Sequence, residues 1–248
     1  MDKPLLGDGM AQDNDTQFKL NLFRCFQLWQ DRTEIRVASR QQRLIAALAI
    51  NGPRPRRYYS GLLWPDRPEA RAMESLRTSV YLTSSQVPGL LVNDGQVLSL
   101  SDHVSVDLHD VVSKVRRLGE FGSELSDDTC LACLNCGELL PGWYDDWVFL
   151  EQQRLRNLRL RAFLTLARRW IDEGNVHKAV EAAEGALELE PLNESAVALL
   201  INAELKSGNR ARALRTFQAF RTHLGVELGI EPSEHLARVA ERINSNRT

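Results

Sequence analysis

Side chains that carry chemistry are sparse in this 248-residue chain, which has five histidines, four cysteines and three methionines. The histidines, His103, His109, His177, His223 and His235, are scattered, and none stands with Ser and Asp in a nucleophile motif. There is no G-x-x-x-x-G-K-[ST] segment and no other glycine-rich phosphate loop, so a nucleotide-hydrolysing element is not expected. No apolar run approaches membrane-spanning length; the best, Leu44–Ile50, is far too short. Residues 1–17 lack both the basic start and the apolar stretch of a signal peptide. They are expected to form a disordered acidic tail on a cytoplasmic protein. Neither an enzyme nor a cofactor is implied.

The cysteines deserve a separate weighing. Cys130, Cys133 and Cys136 are spaced like ligands of zinc or an iron–sulfur cluster. Against a metal stand the missing fourth thiol, with Cys25 far away, and the lack of a nearby His. A helix expected over 127–139 would also turn the third thiol away from the first. Free thiols, buried or half-buried, are the favoured reading, as suits a reducing compartment.

What the chain does have is a repeat. Gly174 and Gly208 lie 34 residues apart, as do Ala179 and Ala213. Phe163, Leu166, Ala167, Trp170, Ala179, Ala183, Ala186 and Pro191 fill the slots of one tetratricopeptide helix pair. Such repeats do no chemistry; they stack helices and offer a surface. Helices are expected at 107–118, 127–139, 146–173, 176–189, 193–207, 210–224 and 233–243, broken by Gly or Pro. Asp146 is the expected N-cap of the long one. Trp143, Tyr144 and Trp147 are expected to anchor the preceding loop onto the helices. Exposed aromatics there would instead mark a protein interface.

The first half reads differently. Alternating Phe18, Leu20, Leu22 and Phe26, Leu28 favour strands, with a short partner at 34–37. A helix capped by Ser39 and ending near Asn51-Gly52-Pro53 follows, then helices at 54–64 and 68–87. A hairpin closes the segment, Leu90–Val92 and Gln96–Leu100 flanking Asn93-Asp94-Gly95. This is the pattern of a winged helix-turn-helix, whose third helix lies in a major groove. Charge agrees: residues 1–17 carry −3, residues 18–100 carry +6 and residues 101–248 carry −5. A basic segment suits a polyanion. A merely solvated surface is the alternative.

Candidate contacts follow. Arg54, Arg56 and Arg57 open the second helix, which crosses the DNA backbone, and are candidates for phosphates; a solubilising turn is the competing role. On the third helix Arg71, Thr78 and Ser85 share a face, with Ser75, Arg77 and Tyr81 beside it. Arg77 is the candidate for bidentate guanine recognition, and the Ser75 and Thr78 hydroxyls for bases or phosphates. For Tyr81, packing beneath the wing is favoured over a DNA contact. Trp64 is expected in the core, with its indole N–H on a carbonyl.

Several longer motifs carry a resemblance. Leu62-Leu63-Trp64-Pro65-Asp66 with Glu69-Ala70-Arg71-Ala72 and Ser75-Leu76-Arg77, then Val106-Asp107-Leu108, then residues 139–148 (LLPGWYDDWV) with Glu151 and Arg154, and finally residues 225–232 (GVELGIEP), together resemble the SARP-type antibiotic-regulatory transcriptional activators. The resemblance spans roughly 18–244. It implies a mainly α protein with small β, an OmpR-type winged helix at 18–101 and a helical, tetratricopeptide-like activator domain at 106–244. It further implies a bacterial activator that binds double-stranded promoter repeats, with a polymerase-contact loop at Pro65, Asp66 and Arg67, and two copies on DNA. No membrane and no small-molecule substrate is implied. One departure stands out: the family's third helix usually continues with several arginines, whereas residues 78–85 here contain none. The rival expectation is therefore a protein-interaction module with a degenerate winged helix that no longer binds DNA.

Overall fold

The computed structural model describes residues 17–118 and 127–245, so the tail expected over 1–17 lies outside the described residues apart from Gln17. The chain divides into two units between Leu108 and His109.

The first unit begins with β1 (Phe18–Asn21), β2 (Gln27–Gln30) and β3 (Thr33–Ile35), which form an antiparallel meander. Phe18, Leu20 and Leu28 point inward and are buried. Next come α1 (Ser39–Asn51), β4 (Arg54–Pro55), α2 (Arg56–Leu63), α3 (Glu69–Gln86), β5 (Leu91–Asn93), β6 (Val97–Leu100) and β7 (Val104–Val106). β7 pairs in parallel with β1, Phe18 opposite Val104 and Leu20 opposite Val106, giving the sheet order β3-β2-β1-β7. The hairpin β5–β6 is the wing, extended to three strands by β4. Its turn is built as expected: the Asp94 carboxylate accepts the N–H groups of Val97 (2.7 Å) and Gln96 (3.0 Å). Those two bonds hold its carboxyl below the usual range. Gly95 supplies the positive φ that the turn needs.

Two local expectations are corrected. Ala38, not Ser39, is the N-cap of α1; the Gln41 side chain accepts the Ala38 N–H, and Ser39 is already helical. The helix expected over 54–64 begins at Arg56, because Arg54 and Pro55 form β4 against β6.

β7 leads into α4 (Asp107–Leu118). Asp107 does more than begin that helix. Its carboxylate accepts the N–H groups of Leu22 (2.9 Å) and Phe23 (3.1 Å), where the chain bends between β1 and β2, as well as that of Leu108. Leu22 and Phe23 are buried, so without Asp107 these donors would lack a partner.

The second unit is helical: the rest of α4, α5 (Asp127–Leu134), α6 (Asp146–Glu173), α7 (Val176–Leu189), α8 (Glu194–Lys206), α9 (Arg210–Leu228) and α10 (Glu234–Ser245). The 34-residue period becomes two helix pairs, α6–α7 and α8–α9. Gly174 and Gly208 turn between helices at positive φ, and Ala179 and Ala213 are fully buried. α10 closes the array, with Leu236 and Ile243 packed on Ile201, Phe220 and Leu224. Between the first pair the backbones come close. A Cβ on Gly185 would lie 2.7 Å from the ring of Phe163, which is itself buried.

Three helical details differ from expectation. α5 stops at Leu134, so Cys136 lies beyond it. Asp145 is the N-cap of α6 and Asp146 its first residue, where a carboxylate still suits the positive end of the helix. α9 runs through Gly225 to Leu228 and is ended by Gly229, which adopts the left-handed conformation.

The Gly185–Phe163 approach leaves no room for a methyl group. Gly185→Ala is expected to lower unfolding stability by about 1–3 kcal/mol, read by urea denaturation. An unchanged midpoint would show that the two helices can part without cost.

Candidate nucleic-acid interface

The geometry of the first unit starts from α3. Its inner face carries Ala72, Ser75, Leu76, Ser79, Val80 and Thr83, all buried. Half of those side chains are hydroxyls, and each must be satisfied away from water. Ser79 Oγ donates to the Ser75 carbonyl (2.9 Å) and Thr83 Oγ1 to the Ser79 carbonyl (2.8 Å). The decisive partner comes from α1. The Arg40 guanidinium donates through Nε to Ser79 Oγ (2.7 Å) and through Nη2 to the Ser75 carbonyl (2.5 Å). It also lies 5.5 Å from the centroid of the Trp64 ring. From the next residue of α1, Gln41 Nε2 donates to Gln86 Oε1 (2.9 Å), and Gln86 Nε2 donates to the Arg36 carbonyl (2.8 Å). Arg40 and Gln41 thus hold the middle and the end of α3 against α1.

This arrangement sorts the candidate residues. Ser75 is withdrawn: it is buried, and its hydroxyl accepts from Arg67 Nη1 (3.0 Å). Arg71, Arg77, Thr78 and Tyr81 are exposed on the outer face of α3. Thr78 Oγ1 donates to the Glu74 carbonyl (3.0 Å). Tyr81 is 70% exposed, so the expected packing beneath the wing is not found. Leu82, next to it, is exposed too. Trp64 is half-buried, with its ring against Arg40 rather than deep in the core.

At the start of α2 the three arginines differ. Arg54 stacks on the Tyr58 ring at 5.9 Å. Arg56 donates to Asn93 Oδ1 (2.9 Å), tying α2 to the wing. Arg57 is engaged by Glu69, with Nε to Oε1 at 2.8 Å and Nη2 to Oε2 at 3.1 Å. In the loop before α3, Pro65 and Asp66 are exposed, while Arg67 folds back onto Ser75. Beneath α2, buried Tyr59 donates its hydroxyl to the Gly52 carbonyl, and burial pushes its phenol well above the ordinary range.

The charge on this surface is thin. α3 carries Arg71 and Arg77 against Glu69 and Glu74, a net of zero. Sequence reasoning had noted the few arginines; it missed that Glu69 also occupies Arg57, and that Arg40, not an α3 residue, holds the helix in place.

In the second unit two thiols make long contacts to carbonyl oxygens. Cys133 lies 3.8 Å from the Val111 carbonyl, and Cys136 Sγ the same distance from the Gly137 carbonyl. Burial pushes the Cys133 thiol up, disfavouring the thiolate that metals bind. Among the described residues no group of three or more His, Cys, Asp or Glu side chains is placed to hold a metal ion. Also among these, no helix is long and apolar enough to cross a membrane. Of the aromatic trio, buried Trp147 meets Trp143 edge to face at 6.4 Å, but Tyr144 is 93% exposed and anchors nothing.

The first unit is a winged helix and the second a tetratricopeptide-like helical array, and comparison with known proteins finds the same two parts. Residues 130–244 match the family described as the bacterial transcriptional activator domain. The regulatory protein AfsR of Streptomyces coelicolor is 28% identical over 229 residues, covering 87% of this chain and 23% of AfsR. A solved structure of Mycobacterium tuberculosis EmbR in complex with a low affinity phosphopeptide has the same fold. It superposes with a TM-score of 0.70 at 21% identity, covering 92% of this chain and 65% of the EmbR chain. Residues 130–244 thus resemble the bacterial transcriptional activator domain, and most of the chain is similar to part of a regulatory protein. The chain spans less than two thirds of the length of either relative.

Because Arg40 supplies the partners of two polar groups on α3, Arg40→Met is expected to lower stability by about 1–3 kcal/mol and to broaden the amide resonances of 75–83 in NMR spectra. Unchanged spectra and melting would show that α3 is held by its apolar contacts alone.

Proposed function

We propose that the chain is a cytoplasmic activator that binds double-stranded promoter DNA through the outer face of α3, with α2 on the flanking backbone, and that it carries no enzymatic activity. The observation that supports this best is the exposed set Arg71, Arg77, Thr78 and Tyr81 on a helix clamped from behind by α1. Arg77 reads a guanine. Arg54, Arg56 and Arg57 meet phosphates. Tyr81 and Leu82 supply apolar contacts to thymine methyl groups. The loop at Pro65, Asp66 and Arg67 faces RNA polymerase, and a second copy on a repeated site adds avidity to a modest individual grip.

A second reading has a specific observation behind it. The zero net charge of α3 suits an interaction module that has given up DNA. Fluorescence anisotropy of genomic fragments over a range of salt concentrations separates the two. The DNA reading expects binding that falls linearly in log–log form as salt rises; absence of binding at low salt to any fragment favours the interaction module.

Within the DNA reading the variants divide by role. Arg77→Ala is expected to cost about 1–3 kcal/mol on the preferred site and to relax sequence preference, whereas Arg56→Ala weakens all sequences alike. Glu69→Gln releases Arg57 from its carboxylate partner, so it is expected to tighten binding to every fragment and steepen the salt dependence by about one charge. If Glu69→Gln leaves both unchanged, Arg57 does not meet DNA.

A further inference from the structure

The outer face of α6 near its start is not covered by the helix array. Phe149 is 56% exposed and Leu150 is 67% exposed, and Tyr144 stands free just before the helix. Large apolar side chains grouped in this way on a protein surface mark a contact. Charges flank them in a regular order. Exposed Asp146 lies four residues before Leu150, and Arg154, its side chain 68% exposed, four residues after. At a rise of about 1.5 Å per residue, the two charges sit roughly 6 Å to either side of Leu150 along one stripe of the helix.

That spacing makes the stripe complementary to itself when reversed. Two copies of α6 laid antiparallel about a two-fold axis at Leu150 bring Leu150 against Leu150. Asp146 of each copy then falls opposite Arg154 of the other. An isologous contact requires this of a surface: residue i meets j, and j meets i. Arg154 has donors to spare for it. Its only partner among the contacts described is Glu151 at 3.5 Å, a carboxyl that burial pushes up, and a guanidinium has five N–H groups.

We infer that the face of α6 bearing Asp146, Phe149, Leu150 and Arg154 pairs antiparallel with the same face of a second copy of this chain. The inference names a surface for the two-copy arrangement proposed above, but it concerns the chain without DNA, so its failure leaves the DNA reading standing and the reverse also holds.

Sedimentation velocity of the full chain over a wide concentration range, without nucleic acid, is the test. The native chain is expected to show a reversible monomer–dimer equilibrium. Leu150→Asp is expected to weaken it by at least about tenfold, with an unchanged far-ultraviolet circular dichroism spectrum. Asp146→Arg and Arg154→Asp are each expected to weaken it by placing like charges opposite each other, and the double reversal to restore it. Restoration is the signature of the antiparallel register, since two charges on unrelated surfaces would not rescue each other. A chain that stays monomeric at every concentration overturns the proposal and leaves the face to a different protein. So does a dimer indifferent to Leu150→Asp, or one in which the double reversal is no better than the single changes. Should Arg154→Asp disturb folding through Glu151, Arg154→Gln with Asp146→Asn removes both charges and is expected to make the association insensitive to salt; salt sensitivity equal to that of the native chain overturns it.

Discussion

Everything proposed for the first unit depends on the guanidinium of Arg40. The inner face of α3 is half hydroxyl, which is a poor surface to bury, and a helix with that face would not hold a fixed position by apolar packing alone. Arg40 turns this weakness into a constraint. It closes the hydrogen-bond chain Ser75–Ser79–Thr83 from α1 and rests against Trp64 at the end of α2, so one side chain sets the positions of three helices. The outer face is then free to be chosen for recognition. Directional polar bonds restrict the rotation of α3 about its own axis, which is the coordinate that decides which residues face a groove.

The same economy explains the weak charge of that face. Ser75-Leu76-Arg77 reads inward, inward, outward: a hydroxyl for the clamp, a leucine for the core, an arginine for the ligand. Glu69 and Glu74 offset Arg71 and Arg77, and Glu69 reaches across to Arg57. Under the proposed function, this holds down a non-specific electrostatic grip and leaves discrimination to a few directional contacts. In the proposed DNA reading such a surface would bind wrong sequences poorly and right ones modestly, which a second copy on a repeated site would offset.

Much of the fold was legible because its signals are local. Gly174 and Gly208, the alanine slots and the 34-residue period fixed the helix pairs, and the bounds of α4, α6 and α7 follow from their flanking breaks. What was hidden depended on partners distant in sequence. β7 is three residues long and exists through β1, some 86 positions earlier; β4 exists through β6. The continuation of α9 through Gly225 shows the limit of punctuation: that glycine stays helical, and the helix ends at Gly229, which takes a positive φ. At the interface, exposure of Arg71, Arg77 and Thr78 follows from helical spacing. The burial of Ser75 and the freedom of Tyr81 do not, because they are set by where Arg40 and the wing lie.

The most direct test of the account is a photo-crosslink from α3 itself. With a benzophenone-bearing residue in place of Tyr81, irradiation in the presence of a fragment selected by the chain is expected to give a covalent protein–DNA adduct, and the same residue in place of Tyr144 is expected to give none. A fragment that stays bound but yields no adduct from position 81 would contradict the placement of α3 in the groove.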